Sequence, residues 1–185
     1  MSTIARLTLA QYDRMIESGV FEIGKRQRIE LIEGELREMT PIGPEHEEAV
    51  TYLMTWSIKA LSEAQARVRI QHSVGLPELD SVPEPDVAWA RPRSYRKGRT
   101  QPKDILLIIE VAATSLAYDR GEKAALYAAA GIRDYWIVNI ADACVEVFRQ
   151  PQRGNYLELT TYSPGQELSP LEFPEIKLVV AELFA

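Results

Sequence analysis

Glu110 closes the apolar run ILLIIE. A carboxylate at the end of so apolar a strand needs a partner, because burying an unpaired charge is expensive. A metal ion is one such partner, since hard divalent cations such as Mg²⁺ take carboxylate, carbonyl and water oxygens. A second carboxylate, Asp86, opens the short run DVAWA. If the two runs are neighbouring strands, both side chains converge on one ion, with the Val111 carbonyl as a third ligand. Beyond Glu110, Lys123 has Asp119 four residues before it and Tyr127 four after, so a helix puts all three on one face. Two carboxylates and a lysine suit phosphodiester hydrolysis. The bound metal polarises the phosphoryl oxygen and helps make hydroxide, and the lysine adds a fixed positive charge beside the attacked phosphate. Each residue also fits a structural role: Asp86 as the start of a strand, Glu110 paired with an arginine, Lys123 as an exposed partner of Asp119.

The surrounding pattern supplies elements to hold these groups. Thr8 to Glu17 reads as a short helix ending near Gly19, and RIELIEG with ELREM reads as a hairpin about Glu33-Gly34. After Pro41 and Pro44, apolar residues at Val50, Leu53, Met54, Ile58 and Leu61 predict a core-facing helix. RVRIQHSVGL alternates like a strand that contains His72, and DVAWA forms another. ILLIIEV reads as a strand buried on both faces. Thr114 or Ser115 can cap a helix running to about Ala130, which Gly131 stops. DYWIVNI, CVEVFRQ and YLELTTY follow as strands, the first two joined through Ala141-Asp142. The order predicts an α/β fold on a mixed sheet, with the helix between ILLIIEV and DYWIVNI as a crossover. Tyr135-Trp136 reads as core packing rather than a base-stacking pair.

A length of 185 residues and 46% hydrophobic content predict one globular domain spanning residues 1–185. No run approaches a membrane span and the first residues lack the apolar centre of a signal peptide, so the expected location is cytoplasmic. The lone Cys144 reads as reduced and structural. A net charge of −6 argues against a nucleic-acid partner until its distribution is considered. Arg91, Arg93, Arg96, Lys97, Arg99 and Lys103 form a segment of +6 without an acid, leaving −12 on the remainder. This segment is a candidate phosphate contact, against the alternative of a solvated basic loop.

Pro85-Asp86, Glu110 and a following lysine, on strand, strand and helix, resemble the PD-(D/E)XK nuclease superfamily. More closely, most of the chain resembles the Uma family of restriction endonucleases. The matching segments are Glu30-Leu31-Ile32-Glu33-Gly34-Glu35, His46 at the opening of the first core helix, PEPDVAW ending at Trp89, and the stretch from Ile108 to Asn139 with Glu110-Val111, Asp119, Lys123, Tyr127, Gly131 and Tyr135-Trp136. The resemblance implies a restriction-endonuclease-like core, a mixed β-sheet flanked by helices, preceded by an N-terminal helix and hairpin. It also implies Asp86 and Glu110 as metal ligands. Three positions depart from the patterns. The superfamily's lysine two residues after the glutamate is replaced by Ala112, its role passing to Lys123, and Ala113 and Leu116 stand where the family tends to have serine and threonine.

These readings lead to a Mg²⁺-dependent endonuclease acting on DNA, with Mn²⁺ as a possible substitute. The expected catalytic residues are Asp86, Glu110, Lys123 and His46, the last contacting the scissile phosphate, positioning water, or simply packing its helix. One of Glu30 and Glu35 is expected to approach the metal. The basic segment would touch the duplex beside the site because it joins the strands of Asp86 and Glu110. Cutting both strands is simplest with two sites related by a two-fold axis, so a homodimer is expected. The final segment LEFPEIKLVVAELFA completes the core or forms that interface. The rival reading is a catalytically silent DNA-binding or protein-interaction module, favoured by the hydroxyls missing at positions 113 and 116.

Overall fold

The computed structural model describes residues 3–22, 28–39 and 41–185. Helix α1 (Leu9–Glu17) begins at Thr8, whose side chain accepts from the Gln11 amide while Gln11 reaches back to the Thr8 amide, a reciprocal cap. Strands β1 (Ile29–Ile32) and β2 (Glu35–Glu38) form the hairpin expected around Glu33-Gly34. Both turn residues have positive φ, and a Cβ on Gly34 would fall 2.7 Å from the Arg6 Cβ, so glycine is needed there for conformation and space.

Helix α2 (Pro44–Ala60) starts with Pro44 and two glutamates in its first turn, which complement the helix dipole. It buries His46, Ala49, Val50, Leu53 and Ser57. Ile58, expected in the core, is 61% exposed. The stripe descending from His46 passes through Ser57 instead, whose hydroxyl donates to the Leu53 carbonyl and accepts from the Trp89 indole at 2.8 Å.

The main sheet holds β3 (Arg67–Ile70), β4 (Val87–Ala90), β5 (Ile105–Ala112), β6 (Asp134–Asn139), β7 (Cys144–Gln152) and β8 (Asn155–Tyr162), in that spatial order. Only β5 and β6 are parallel, and the helical crossover between them is the one the sequence predicts. That crossover is not a single α-helix. It runs through α3 (Leu116–Tyr118), a π-turn over Asp119–Lys123 and α4 (Ala124–Ala129), and Gly131 stops it with φ of 77°. The predicted strand around His72 ends at Ile70. Gln71 turns the chain with φ of 51°, and His72 is exposed beyond it rather than within the sheet.

Alternation along the strands sorts the core into two layers. Val87, Trp89, Ile109, Val111, Trp136 and Val138 face α2. Ala88, Ile108, Ala112, Tyr135 and Ile137 face α4. The two adjacent aromatics Tyr135 and Trp136 therefore pack into opposite layers, both fully buried. The C-terminal segment completes the α2 layer through Ile176, Leu178, Val180 and Leu183. Cys144 is buried and free at the start of β7. Among the described residues, no helix is long and apolar enough to cross a membrane.

Candidate active site

Strand direction decides where the chemistry gathers. Asp86 immediately precedes β4 and Glu110 lies near the end of the antiparallel β5, so both stand at one end of the sheet. By alternation each shares the face of Ala88 and Ile108, toward the π-turn and α4. The start of α2 brings His46 over the same end, and β1 brings Glu30.

Glu110 is buried, and one of its oxygens accepts from the Lys123 ammonium at 2.9 Å and the Tyr127 hydroxyl at 2.8 Å. The other lies 3.4 Å from the Asp86 amide, so the two carboxylate residues adjoin. Burial pushes the Glu110 carboxyl up to about 8. Lys123 opposes this, and Asp86, Asp119 and Glu30 reinforce it. Lys123 is also buried, which disfavours its charge, but Glu110, Glu30 and Asp119 together hold it well above the usual lysine range.

Asp86 is fixed from three directions. One oxygen accepts the Val111 amide at 2.9 Å and meets His46 Nε2 at 3.0 Å; the other accepts from the Gln71 amide group at 3.3 Å. Burial raises its carboxyl, yet the His46, Val111 and Lys123 interactions outweigh burial and leave it below the usual range. An ionised carboxylate only accepts, which places the shared proton on His46 Nε2. His46 Nδ1 is buried with no hydrogen-bond partner among the described residues.

Glu30 and Glu35 take different roles, as their opposite faces require. Glu30 is buried, accepts the Glu84 amide at 2.6 Å and lies 3.5 Å from Lys123. Glu35 pairs with Arg6 and Arg37 at the surface. Asp119 accepts from Ser115, so the expected capping hydroxyl turns inward to this side chain rather than capping a backbone amide. Burial raises the Asp119 carboxyl despite Lys123 and Ser115. Gln71 and Glu84 escape sequence reasoning. Their only signal is proximity to a turn and to Pro85-Asp86, which does not say where a side chain points.

The basic segment departs from its expected place. An antiparallel connection between β4 and β5 leaves the sheet at the end of β4 opposite Asp86, so this loop does not start beside the site. Half its cations are already engaged: Arg91 donates to the Lys103 carbonyl, Arg93 pairs with Asp104, and Arg99 with Asp13. Arg96, Lys97 and Lys103 are exposed, and their side chains make no ion pair among the described residues.

A family model described as Uma2, Putative restriction endonuclease, matches residues 9–181. The chain belongs to that family. A search of curated proteins finds no match. Among solved structures, the chain is similar to one titled as a putative nuclease belonging to DUF820 from Anabaena variabilis ATCC 29413. That match has a TM-score of 0.72 and 16% identity, and covers 96% of this chain and 97% of that one. At such identity the likeness establishes a shared fold, the mixed sheet flanked by helices.

The site of this Uma2 chain places four buried carboxylates, Glu30, Asp86, Glu110 and Asp119, around one buried lysine. A cation fits this surplus of negative charge. Among the described residues, no group of three or more acidic, histidine or cysteine side chains could hold an ion by itself. The available donor set is therefore Asp86, Glu110 and a backbone carbonyl, with water. Val111 directs its amide to Asp86, and a strand residue presents its carbonyl on the same edge as its amide. A hard divalent cation that keeps several waters is compatible with a set of two carboxylates and a carbonyl.

Proposed function

We propose that this protein is a metal-dependent endonuclease that hydrolyses phosphodiester bonds in DNA, acting as one nuclease domain. The observation that carries the reading is the buried carboxylate pair Asp86 and Glu110, adjacent to each other and to a buried lysine, in a chain of this family. Asp86, Glu110 and the Val111 carbonyl would hold Mg²⁺, or Mn²⁺ in its place. The bound ion supplies Lewis-acid polarisation of the phosphoryl oxygen and an acidified water.

The chain's own groups do the rest. Lys123 holds a full positive charge in a water-poor site, where it stabilises charge growing on the phosphate. Tyr127 shares the Glu110 oxygen with Lys123 and fixes that carboxylate's rotamer. His46, Gln71 and the Val111 amide fix Asp86. Once His46 Nε2 donates to Asp86, Nδ1 is left as an acceptor for a proton of water. Arg96, Lys97 and Lys103 are free to contact phosphates, and a second copy of the chain supplies the second cut of a duplex.

The silent-module reading draws on Ala113 and Leu116, which place no hydroxyl at the two family positions after Glu110. Supercoiled plasmid and labelled single-stranded, duplex and branched DNA, incubated with Mg²⁺ or Mn²⁺, decide between them. Metal-dependent cutting that vanishes in Asp86→Ala and Glu110→Ala supports the nuclease. DNA binding unaffected by chelator, without cutting of any substrate, supports the silent module.

A further inference from the structure

Across β4 from the site lies a cation whose environment the proposed chemistry does not use. Arg69 pairs in register with Ala88, two residues along the strand from Asp86, and it points to the same sheet face as Asp86. Its neighbour Gln71 is opposite Asp86, bonding it through both backbone and side chain. Arg69 forms no ion pair among the described residues, and its Nε is buried without a hydrogen-bond partner. Its guanidinium lies over the Tyr95 ring at 5.2 Å, and so does that of Arg93. Tyr95 belongs to the basic loop. The loop leaves the far end of β4, but this ring contact folds it back along β3 toward the site.

We propose that Arg69 and Arg93, gathered on Tyr95, together with the exposed Arg96 and Lys97 that follow it in the loop, form a track for the nucleic-acid phosphate backbone leading away from the active site. Two guanidiniums gathered on one ring repel each other, and Asp104 neutralises only Arg93. An anion would offset the remaining charge. Phosphates fit because they recur along a strand and accept from planar guanidinium groups in pairs. Arg69 stands two residues before Gln71, whose side chain bonds Asp86, so the track begins beside the carboxylate pair. This inference rests on the nuclease reading but can fail independently of it.

The test is DNA binding in chelator, where cleavage plays no part, measured as Kd against salt for labelled duplex, single-stranded DNA and RNA. Inorganic phosphate serves as a competitor, to separate backbone binding from capture of a free anion. Arg69→Ala should weaken binding about tenfold, consistent with loss of a charged hydrogen bond. The exposed pair Arg96→Ser/Lys97→Ser should lower the slope of log K against log salt by about two, without changing the melting temperature. Unchanged affinity and slope in both variants, in a protein that cuts DNA, overturns the track and leaves the nuclease. Full loss of the wild type's DNA binding to millimolar phosphate competitor overturns it in favour of a free-anion site. A wild type that binds through these side chains but never cuts keeps the track and removes the nuclease, whereas a wild type that binds no nucleic acid in chelator removes the track.

Discussion

One oxygen of Glu110 carries two donors, Lys123 and Tyr127, while three other acids press on the same carboxyl. If Glu110 is a metal ligand, as proposed, the ion has to displace a proton from this group whenever the pH lies below its value of about 8. Apparent Mg²⁺ affinity should therefore rise with pH, by up to about tenfold per unit, and level off above that value. Glu110→Gln, which cannot titrate, should bind weakly with no such slope; calorimetric titration between pH 6 and 9 measures both. A flat wild-type profile would show that Glu110 does not exchange its proton for metal. His46 acts on the other proposed ligand, Asp86. Removing it from Asp86 in His46→Ala should lower metal affinity or activity by roughly 10- to 100-fold, as loss of a ligand's hydrogen-bonded support commonly does. Equal affinity in the variant would reduce His46 to a packing residue. At this scale, the burial of Glu110 was legible because an apolar strand ending in an acid creates a charge problem that must be solved, whereas Asp86 and Lys123 were named as its neighbours from the order of the three residues that the family resemblance supplied. Gln71 was not legible, since its position depends on a left-handed turn residue after β3 that no local pattern announces.

The crossover between β5 and β6 shows how an element aims a side chain. A regular α-helix places residues four apart about 40° from eclipse, whereas the π-turn over Asp119–Lys123 widens one turn by a residue. Asp119 and Lys123 are both buried toward Glu110, and Arg120 between them is free to reach Glu146 with two hydrogen bonds. The sequence spacing correctly grouped Asp119, Lys123 and Tyr127 on one face. It did not reveal the π-turn, because an extra backbone residue leaves no mark in side-chain type. Gly121 sits in this turn, exposed, with nothing within 4 Å of an added Cβ. Gly121→Ala should keep activity and gain about 0.5–1 kcal/mol in stability, from the smaller backbone entropy of the unfolded chain. Deleting Gly121 removes the extra residue and rotates the following helix by about 100° relative to Asp119. Cleavage should then fall at least 100-fold while far-ultraviolet circular dichroism stays native. A deletion variant as active as wild type would show that the π-turn does not aim Lys123. The basic loop illustrates the converse limit. Its charge was plain, but only strand direction places its departure at the far end of β4.

Over the whole molecule, the two core layers are built very differently, and this bears on what the C-terminus does. The α4 layer is covered by the crossover, which is fixed between two neighbouring parallel strands. The α2 layer instead depends on residues distant in sequence: Leu168, Ile176, Leu178, Val180 and Leu183 pack with the same strands as Ala49, Val50 and Leu53. Tyr52 and Trp56 tie α2 to this segment through hydrogen bonds to Glu182 and the Lys177 carbonyl. The two sequence alternatives for the final residues, core or interface, differ in what their removal does. A segment held only by a second subunit could be cut away to leave a folded monomer. One that covers the Trp89 and Trp136 layer could not, because its loss would expose much apolar surface; each buried Leu, Val or Ile is worth about 1.5–3 kcal/mol. Three such residues, Leu178, Val180 and Leu183, already match the low end of a typical domain stability of about 5–15 kcal/mol. Truncation after Glu175 should therefore abolish cooperative thermal unfolding and expose tryptophan to quencher, whatever the oligomeric state. The single change Leu178→Ala should lower stability by about 2–5 kcal/mol while leaving a native fold. A truncated protein that still melts cooperatively near the wild-type temperature would place these residues outside the core and return them to the subunit interface.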